Sequence, residues 1–179
     1  MEQKREMSAN DVLDVYSSLE RMGINVWIDG GWSVDASLGE QTRSHTDLDI
    51  AIQYKDLQKF REYMETREYK ELERDENKKW TFVLGDDKGH EIDVHAFTFD
   101  EKGHIVEDDE YPDGSLTGVG TIGGQTVRCI DPRHLVHFHT RHEPREKDIK
   151  DVAALCEKFG ISYPAKYVSL MKANSEKKE

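Results

Sequence analysis

Cysteine is scarce in this sequence. Cys129 and Cys156 are the only two, and they form no Cys-x-x-Cys pair. That argues against a disulfide framework and fits a chain kept in a reducing cytosol. Long apolar runs are missing as well. No stretch is long enough to cross a bilayer, and the opening MEQKREMSAND has no apolar segment of the kind a signal peptide needs, so a cytoplasmic location is expected. Basic residues are the third shortage, with 25 Lys and Arg against 37 Asp and Glu and a formal charge of −12. A balance of that sign disfavours nucleic acid and membrane surfaces as partners, since both are polyanions, and suits a small cationic molecule.

What is present is periodic. The 179 residues suffice for one domain with a real core. Ser8 and Asp11 are spaced as a capping box, and Val12, Val15, Tyr16, Leu19 and Met22 follow at helical spacing until Gly23. INVWID (24–29) predicts a strand, Gly30 and Gly31 a turn, and WSVDASLG a short helix over 32–38 closed by Gly39. DLDIAI alternates, with Leu48, Ile50 and Ile52 on one face and Asp47 and Asp49 on the other. Leu57, Phe60 and Met64 mark a second amphipathic helix. Residues 80–84 and 91–99 predict a hairpin around GDDKG; Ile92, Val94 and Ala96 face one way, and Glu91, Asp93, His95 and Phe97 the other. GVGTIGGQTVRCI predicts further strand turning at Gly123 and Gly124, and Asp131 caps a helix with Pro132 in its first position. A helix after Pro144 has Ile149, Val152, Cys156 and Phe159 as its buried stripe and Gly160 as its stop, and the tail KANSEKKE is expected to be frayed and solvated. The order predicts an α+β fold: a small mixed β-sheet with flanking helices over 1–130, and a short helical C-terminal part over 131–179 packed on the same domain.

One stretch carries chemistry: DGGWSVDASLGEQTRSHTDLDI, residues 29–50. Aspartates two apart on a strand share a face and stand about 7 Å apart along it, so Asp47 and Asp49 can converge on a hard cation. Carboxylates with few other ligands suit Mg²⁺, which keeps its waters and takes substrate phosphates. The glycine pair lets backbone N–H groups approach a ligand, and the helix start behind it at Trp32 favours an anion. A nucleoside triphosphate would link the two. An isolated Asp-x-Asp is ordinarily a solvated sheet face; spacing, alternation and turn chemistry agreeing in one stretch make this one more specific.

Gly-Gly, a short helix, then Asp-x-Asp on a strand resembles the DNA polymerase β-like nucleotidyltransferase superfamily. The longer pattern WIDGGWSVDASLG-QTR-H-DLDI is similar to its small antibiotic-modifying branch, the lincosamide and aminoglycoside nucleotidyltransferases. The likeness follows the element order from Asn10 to Ile161 and is strongest over 27–50 and 91–95. It implies a mixed sheet with flanking helices, Mg²⁺, and transfer of a nucleoside monophosphate, AMP from ATP, to a hydroxyl with release of pyrophosphate. Residue by residue, it carries Gly30 and Gly31 to the triphosphate turn and Asp47 and Asp49 to two metal carboxylates. Asp93, in EIDVH, corresponds to a third that binds metal or acts as general base. Arg43 would reach a phosphate. Lys147 resembles a lysine that opens a C-terminal helix and contacts phosphates, with Lys150 as the other candidate. His45 matches a recurrent position to which no role attaches. Trp32 departs from the pattern, since serine is common after the glycine turn; phosphate binding must then rest on backbone N–H groups and basic side chains.

Other features read more simply. His134, His137, His139 and His142 lack a partnering Cys or an HExxH spacing, and read as structural histidines rather than a zinc site. DGSLTGVGTIGG lacks the Gly-Lys-Ser/Thr ending of a P-loop and reads as a hairpin or a substrate-facing loop. Trp32 is expected in the core. EDDEYPD (107–113) reads as a solvated loop that would also attract a cationic acceptor. Such an acceptor is an aminoglycoside, held by several charges, or a lincosamide, which needs an aromatic wall from Trp32, Tyr111 or Phe97; the acidic loop leans toward the aminoglycoside. The alternative is a nucleotidyltransferase that modifies a protein partner, as antitoxin-type two-component members do.

Overall fold

The Ser8 hydroxyl accepts from the Asp11 amide while the Asp11 carboxylate accepts from the Ser8 amide, and this capping box opens α1 (Ala9–Arg21). Val12, Val15 and Leu19 then turn inward. The chain enters β1 (Val26–Asp29), passes without a loop into α2 (Gly30–Leu38), and returns along β2 (Asp47–Gln53), antiparallel to β1. Next come α3 (Leu57–Thr66), which buries Leu57, Phe60 and Met64, and the strands β3 (Lys70–Glu71), β4 (Thr81–Gly85), β5 (Glu91–Phe99) and β6 (Ile105–Val106). A hairpin of β7 (Gly118–Ile122) and β8 (Gln125–Cys129) follows, and α4 (Pro132–Phe138), α5 (Glu146–Phe159) and α6 (Ala165–Glu176) complete the chain. The computed structural model describes residues 5–106 and 110–176.

The strands form one sheet in the order β3-β4-β5-β2-β1-β8-β7, with β6 paired to β5 outside that path. It is mixed: β2 and β5 run parallel, as do β1 and β8, while β1 and β2 are antiparallel. Both faces are covered. On one, Ile28, Ile50 and Val94 pack with side chains of α1 and α3. On the other, Trp27, Ala51 and Phe97 pack with Leu135, Val152 and Tyr167 from the C-terminal helices. Each large apolar side chain so buried contributes about 1.5–3 kcal/mol of transfer free energy. This is the expected α+β architecture of a mixed sheet with flanking helices.

Local expectations are corrected at three places, and two short strands were not expected. Gly30 and Gly31 are the first turn of α2 rather than a separate turn, because Asp29 caps the helix and accepts from the Gly30 amide at 2.7 Å. On α5 the buried apolar residues are Val152, Leu155 and Cys156; Phe159 is exposed and Ile149 only half-buried, since the stripe rotates toward α2 and α4. The short β3 and β6 have too few residues to show alternation. The tail is helical to Glu176, for α6 is anchored by Tyr167, which is fully buried and donates its hydroxyl to the His139 carbonyl at 2.9 Å. Tyr167→Ala should therefore destabilise the fold by about 3–5 kcal/mol, the usual range for deleting a buried aromatic. Tyr167→Phe should lose about 1 kcal/mol, one hydrogen bond. Urea denaturation of the two variants measures both values.

Candidate active site

Pairing of the central strands brings three aspartates level. Asp29, the last residue of β1, is the register partner of Asp49 on β2, and Asp49 is the partner of Asp93 on β5. Neighbouring strands lie about 4.8 Å apart, so these carboxylates form a row across the sheet, and Asp47 stands two residues along β2 on the same face. That face is the one carrying Trp27, Ala51 and Phe97. It is apolar under the C-terminal helices and becomes acidic where the strands run out beneath a cleft of about 480 Å³, lined by Asp29, Asp47, Asp49 and Asp93.

Crowding of like charge sets the electrostatics. The half-buried Asp49 carboxyl is pushed well above the usual carboxylate range, first by burial and then by Asp29, Asp47 and Asp93, while Lys147 pulls it back. Asp29 accepts from the Gly30 amide and, at 2.6 Å, from the hydroxyl of buried Tyr111. Burial and the Asp29 carboxylate in turn push the Tyr111 phenol well above 10.0. Among the described residues no three His, Cys, Asp or Glu side chains already close on one point as a metal cage. The carboxylates share the cleft while standing apart. Their all-oxygen donor set, with Asp49 repelled on three sides, fits a hard divalent cation such as Mg²⁺.

The two glycines serve two different close approaches. Gly30 has φ +57°, and a Cβ there would lie 2.1 Å from Asp49 Oδ2. At Gly31 a Cβ would lie 2.6 Å from both Arg43 Nη2 and His45 Nδ1. The Gly30 amide is taken by Asp29, and the Asp49 carboxylate lies against the Gly30 backbone.

The rest of the lining is mostly basic. Arg43, Arg141, Arg145 and Lys147 belong to it together with His139 and His142. Lys150, the other lysine candidate, pairs with Glu146 at 2.9 Å on the outer side of α5. Two buried aspartates of α5 hold the arginines. Asp151 accepts from Arg43 Nη2 at 3.2 Å, and Asp148 accepts from the Arg145 amide at 2.8 Å and its Nε at 3.0 Å. Burial raises both carboxyls, but hydrogen bonds from His139 and Arg43 on Asp151, and from Arg145 on Asp148, outweigh it and hold each below 3.8. Burial pulls His139 down, yet Asp151 and the Leu135 carbonyl hold it above 6.5.

Asp47, Asp49, Asp93, Gly30, Gly31, Arg43 and Lys147 thus meet in one cleft. Tyr111, expected only as a candidate aromatic wall, joins them through its bond to Asp29, and Asp29, Arg145 and Asp148 join without having been singled out from sequence; the polar Asp29 ending an apolar strand was the available signal for that residue. Trp32 is in the core, its ring 4.6 Å from that of His45, and takes no part in an aromatic wall. Phe97 lines a neighbouring groove instead. Of the acidic segment 107–113, residues 107–109 lie outside the described residues, and Tyr111 is buried against the cleft rather than solvated.

Residues 11–155 match the aminoglycoside-2''-adenylyltransferase family. The chain is similar to a lincosamide resistance protein of Staphylococcus haemolyticus, 26% identical over 160 residues that cover 80% of this chain and 89% of that one. It is also similar to a 2''-aminoglycoside nucleotidyltransferase of Escherichia coli, 30% identical over 123 residues, 64% of this chain and 63% of that protein. Among solved structures, the lincosamide antibiotic adenylyltransferase LnuA with lincomycin bound aligns at a TM-score of 0.75 and 22% identity, over 88% of this chain and 100% of that one. ANT(2'')-Ia in complex with adenylyl-2''-tobramycin aligns at 0.71 and 20% identity, over 95% and 97%. The fold is therefore the nucleotidyltransferase fold. With the match running through the sheet, the carboxylate row and most of α5, the chain belongs to the aminoglycoside-2''-adenylyltransferase family.

Proposed function

We propose that this protein transfers AMP from ATP to a hydroxyl of an amine-bearing antibiotic, an aminoglycoside or a lincosamide, and releases pyrophosphate. The observation that carries this reading is the make-up of the cleft: carboxylates from the ends of three strands, and Arg43, Arg145 and Lys147 from the connection before β2 and the start of α5. A triphosphate is drawn to the basic wall, and the ammonium groups of the acceptor to the acidic side, where Glu110 and Tyr111 adjoin the row. Asp47, Asp49 and Asp93 would hold Mg²⁺, which when bound offsets phosphate charge and the mutual repulsion of these carboxylates. Asp93 accepts the proton of the acceptor hydroxyl as that oxygen bonds to the α-phosphorus and the bond to the departing pyrophosphate breaks. Arg43 and Lys147 offset the charge that gathers on the leaving group. The names of the relatives support an antibiotic as acceptor and do not favour the protein-modifying alternative.

The direct test incubates the protein with ATP, Mg²⁺ and a panel of aminoglycosides and lincosamides, and reads by mass spectrometry the gain of one adenylyl group. Absence of that gain across the panel overturns the reading. Asp49→Asn should lower turnover by about 10²–10³-fold or more, the scale of removing a preorganised charge from a transition state.

Stability supplies a second measurement. Because the folded-state pKa of Asp49 is raised, its favourable contribution is present below its ordinary value of 3.8 and lost as pH rises through the folded value. In EDTA at neutral pH the Asp49→Asn protein should therefore be more stable than wild type, with the gap closing as pH falls. Mg²⁺ should raise the wild-type melting temperature and leave that of the variant nearly unchanged; an equal rise in both removes Asp49 from the metal site.

A further inference from the structure

We infer that Asp35 is a positioning residue for the nucleotide, acting through His45 to set the Arg43 guanidinium on the wall of the cleft; the inference rests on the proposed reading of that cleft as a triphosphate site. Asp35 lies on α2 with 2% of its surface exposed, and it is absent from the lining of the cleft. Its two oxygens are used on either side of Arg43. Oδ1 accepts from the Thr42 amide at 3.1 Å and the Thr42 hydroxyl at 2.7 Å, and Oδ2 accepts from His45 Nε2 at 2.5 Å. One buried carboxylate thus grips the connection between α2 and β2 at residues 42 and 45, with Arg43 between them.

The bond to Asp35 also fixes what His45 can do. With its proton on Nε2, the ring leaves the Nδ1 lone pair as an acceptor, and Arg43 Nη1 donates to it at 3.0 Å. Arg43 Nη2 donates to Asp151 at 3.2 Å. The guanidinium is therefore held from two sides, by a relay rooted in α2 and by a carboxylate on α5, and the absent side chain of Gly31 gives it room. These bonds and a longer one from Nη1 to the Ser44 carbonyl at 3.5 Å commit three of its five N–H donors; Nε is buried, and the second hydrogen on Nη2 remains for a phosphate.

A purely architectural role explains this less well. Burying a carboxylate with a polar partner stabilises little compared with an apolar pair of the same volume. Asp35 and His45 are both nearly inaccessible, at 2% and 3%, and the group that their pairing orients is a cation on the cleft wall. Arg43 is itself only partly exposed, so its direction, rather than its charge alone, is what the relay adds.

The test measures ATP and acceptor separately. Asp35→Asn keeps the volume and removes the charge. It should raise the KM for ATP about ten- to a hundredfold, the loss typical of removing a supporting partner, with the KM of the acceptor unchanged. The dissociation constant of the non-hydrolysable α,β-methylene ATP with Mg²⁺, read by calorimetry, should rise by the same factor. In an Arg43→Ala background the Asp35→Asn change should add nothing further, whereas a general structural defect would add to it. His45→Asn, which retains an acceptor near the Nδ1 position, should bind the analogue more tightly than His45→Ala; if Asp35→Asn fails to fold, this pair carries the test. Additive losses in the double variant, equal losses for ATP and acceptor, or a folded Asp35→Asn protein with wild-type analogue affinity would overturn the inference. A wild-type protein that binds no analogue at all would instead overturn the nucleotide reading beneath it.

Discussion

The register of β1, β2 and β5 is the constraint on which the rest depends. Asp29, Asp49 and Asp93 are level only because Ile28 pairs with Ile50 and Ile50 with Val94 one residue further along. Those three residues are in the core, together with Leu48, Ile52 and Ile92. A slip of one residue in β2 would turn the isoleucines outward and Asp49 inward, so the apolar face that stabilises the sheet also fixes where its charges lie. The same coupling explains why so unfavourable an arrangement persists. The repulsion that raises Asp49 is confined to the strand ends, while the free energy that holds the strands in register is spread along their length.

The opposing charge comes from far along the chain. Arg43 meets Asp151, and the cleft wall continues through Arg145 and Lys147 at the start of α5. Here the buried aspartates serve the arginines: Asp148 and Asp151 sit where apolar residues would otherwise pack, and each holds a guanidinium in place. Behind α5, α6 adds support through Tyr167, whose hydroxyl reaches the carbonyl of His139, and His139 lies 3.8 Å from Asp151. The basic wall is thus as built as the acidic one, but from helices rather than strands.

This difference decides what was legible in the sequence. Alternation over 47–52 and 91–97 is a local signal: it placed Asp47 and Asp49 on one face of their strand and Asp93 on the polar face of its own, and the pairing of β2 with β5 makes the two faces one. The capping box at Ser8, the stop at Gly39 and the hairpin turn at Gly123 are equally local. Asp29 escaped because one carboxylate at the end of an apolar strand has no period; its membership of the row depends on the partner strand. Asp148 and Asp151 carried no signal as charges on a helix: Arg43, 108 residues earlier, meets Asp151, and the packing of α5 that buries both is not written in its own residues. α6 escaped because, among the described side chains, the one it buries fully is a lone tyrosine rather than a stripe.

Two adjacent glycines might suggest one loose turn, but their surroundings differ. Gly30 faces the carboxylate row, where a Cβ would strike Asp49; Gly31 faces the arginine relay, where it would strike Arg43 and His45. Gly30, at φ +57°, also holds a backbone conformation that glycine alone takes without strain, while Gly31 stands in the first turn of a helix, where glycine is a poor helix former. Helix propensity yields here to close approach on two sides. Because α2 also carries Asp35 a turn further on, and Asp35 grips the connection leading to Arg43, the helix fastens the two walls to each other. A shift of its first turn would move the seat of Asp49 and the seat of Arg43 together. The spacing between anion-repelling and anion-attracting walls is therefore set by one short helix and the two side chains missing from its start.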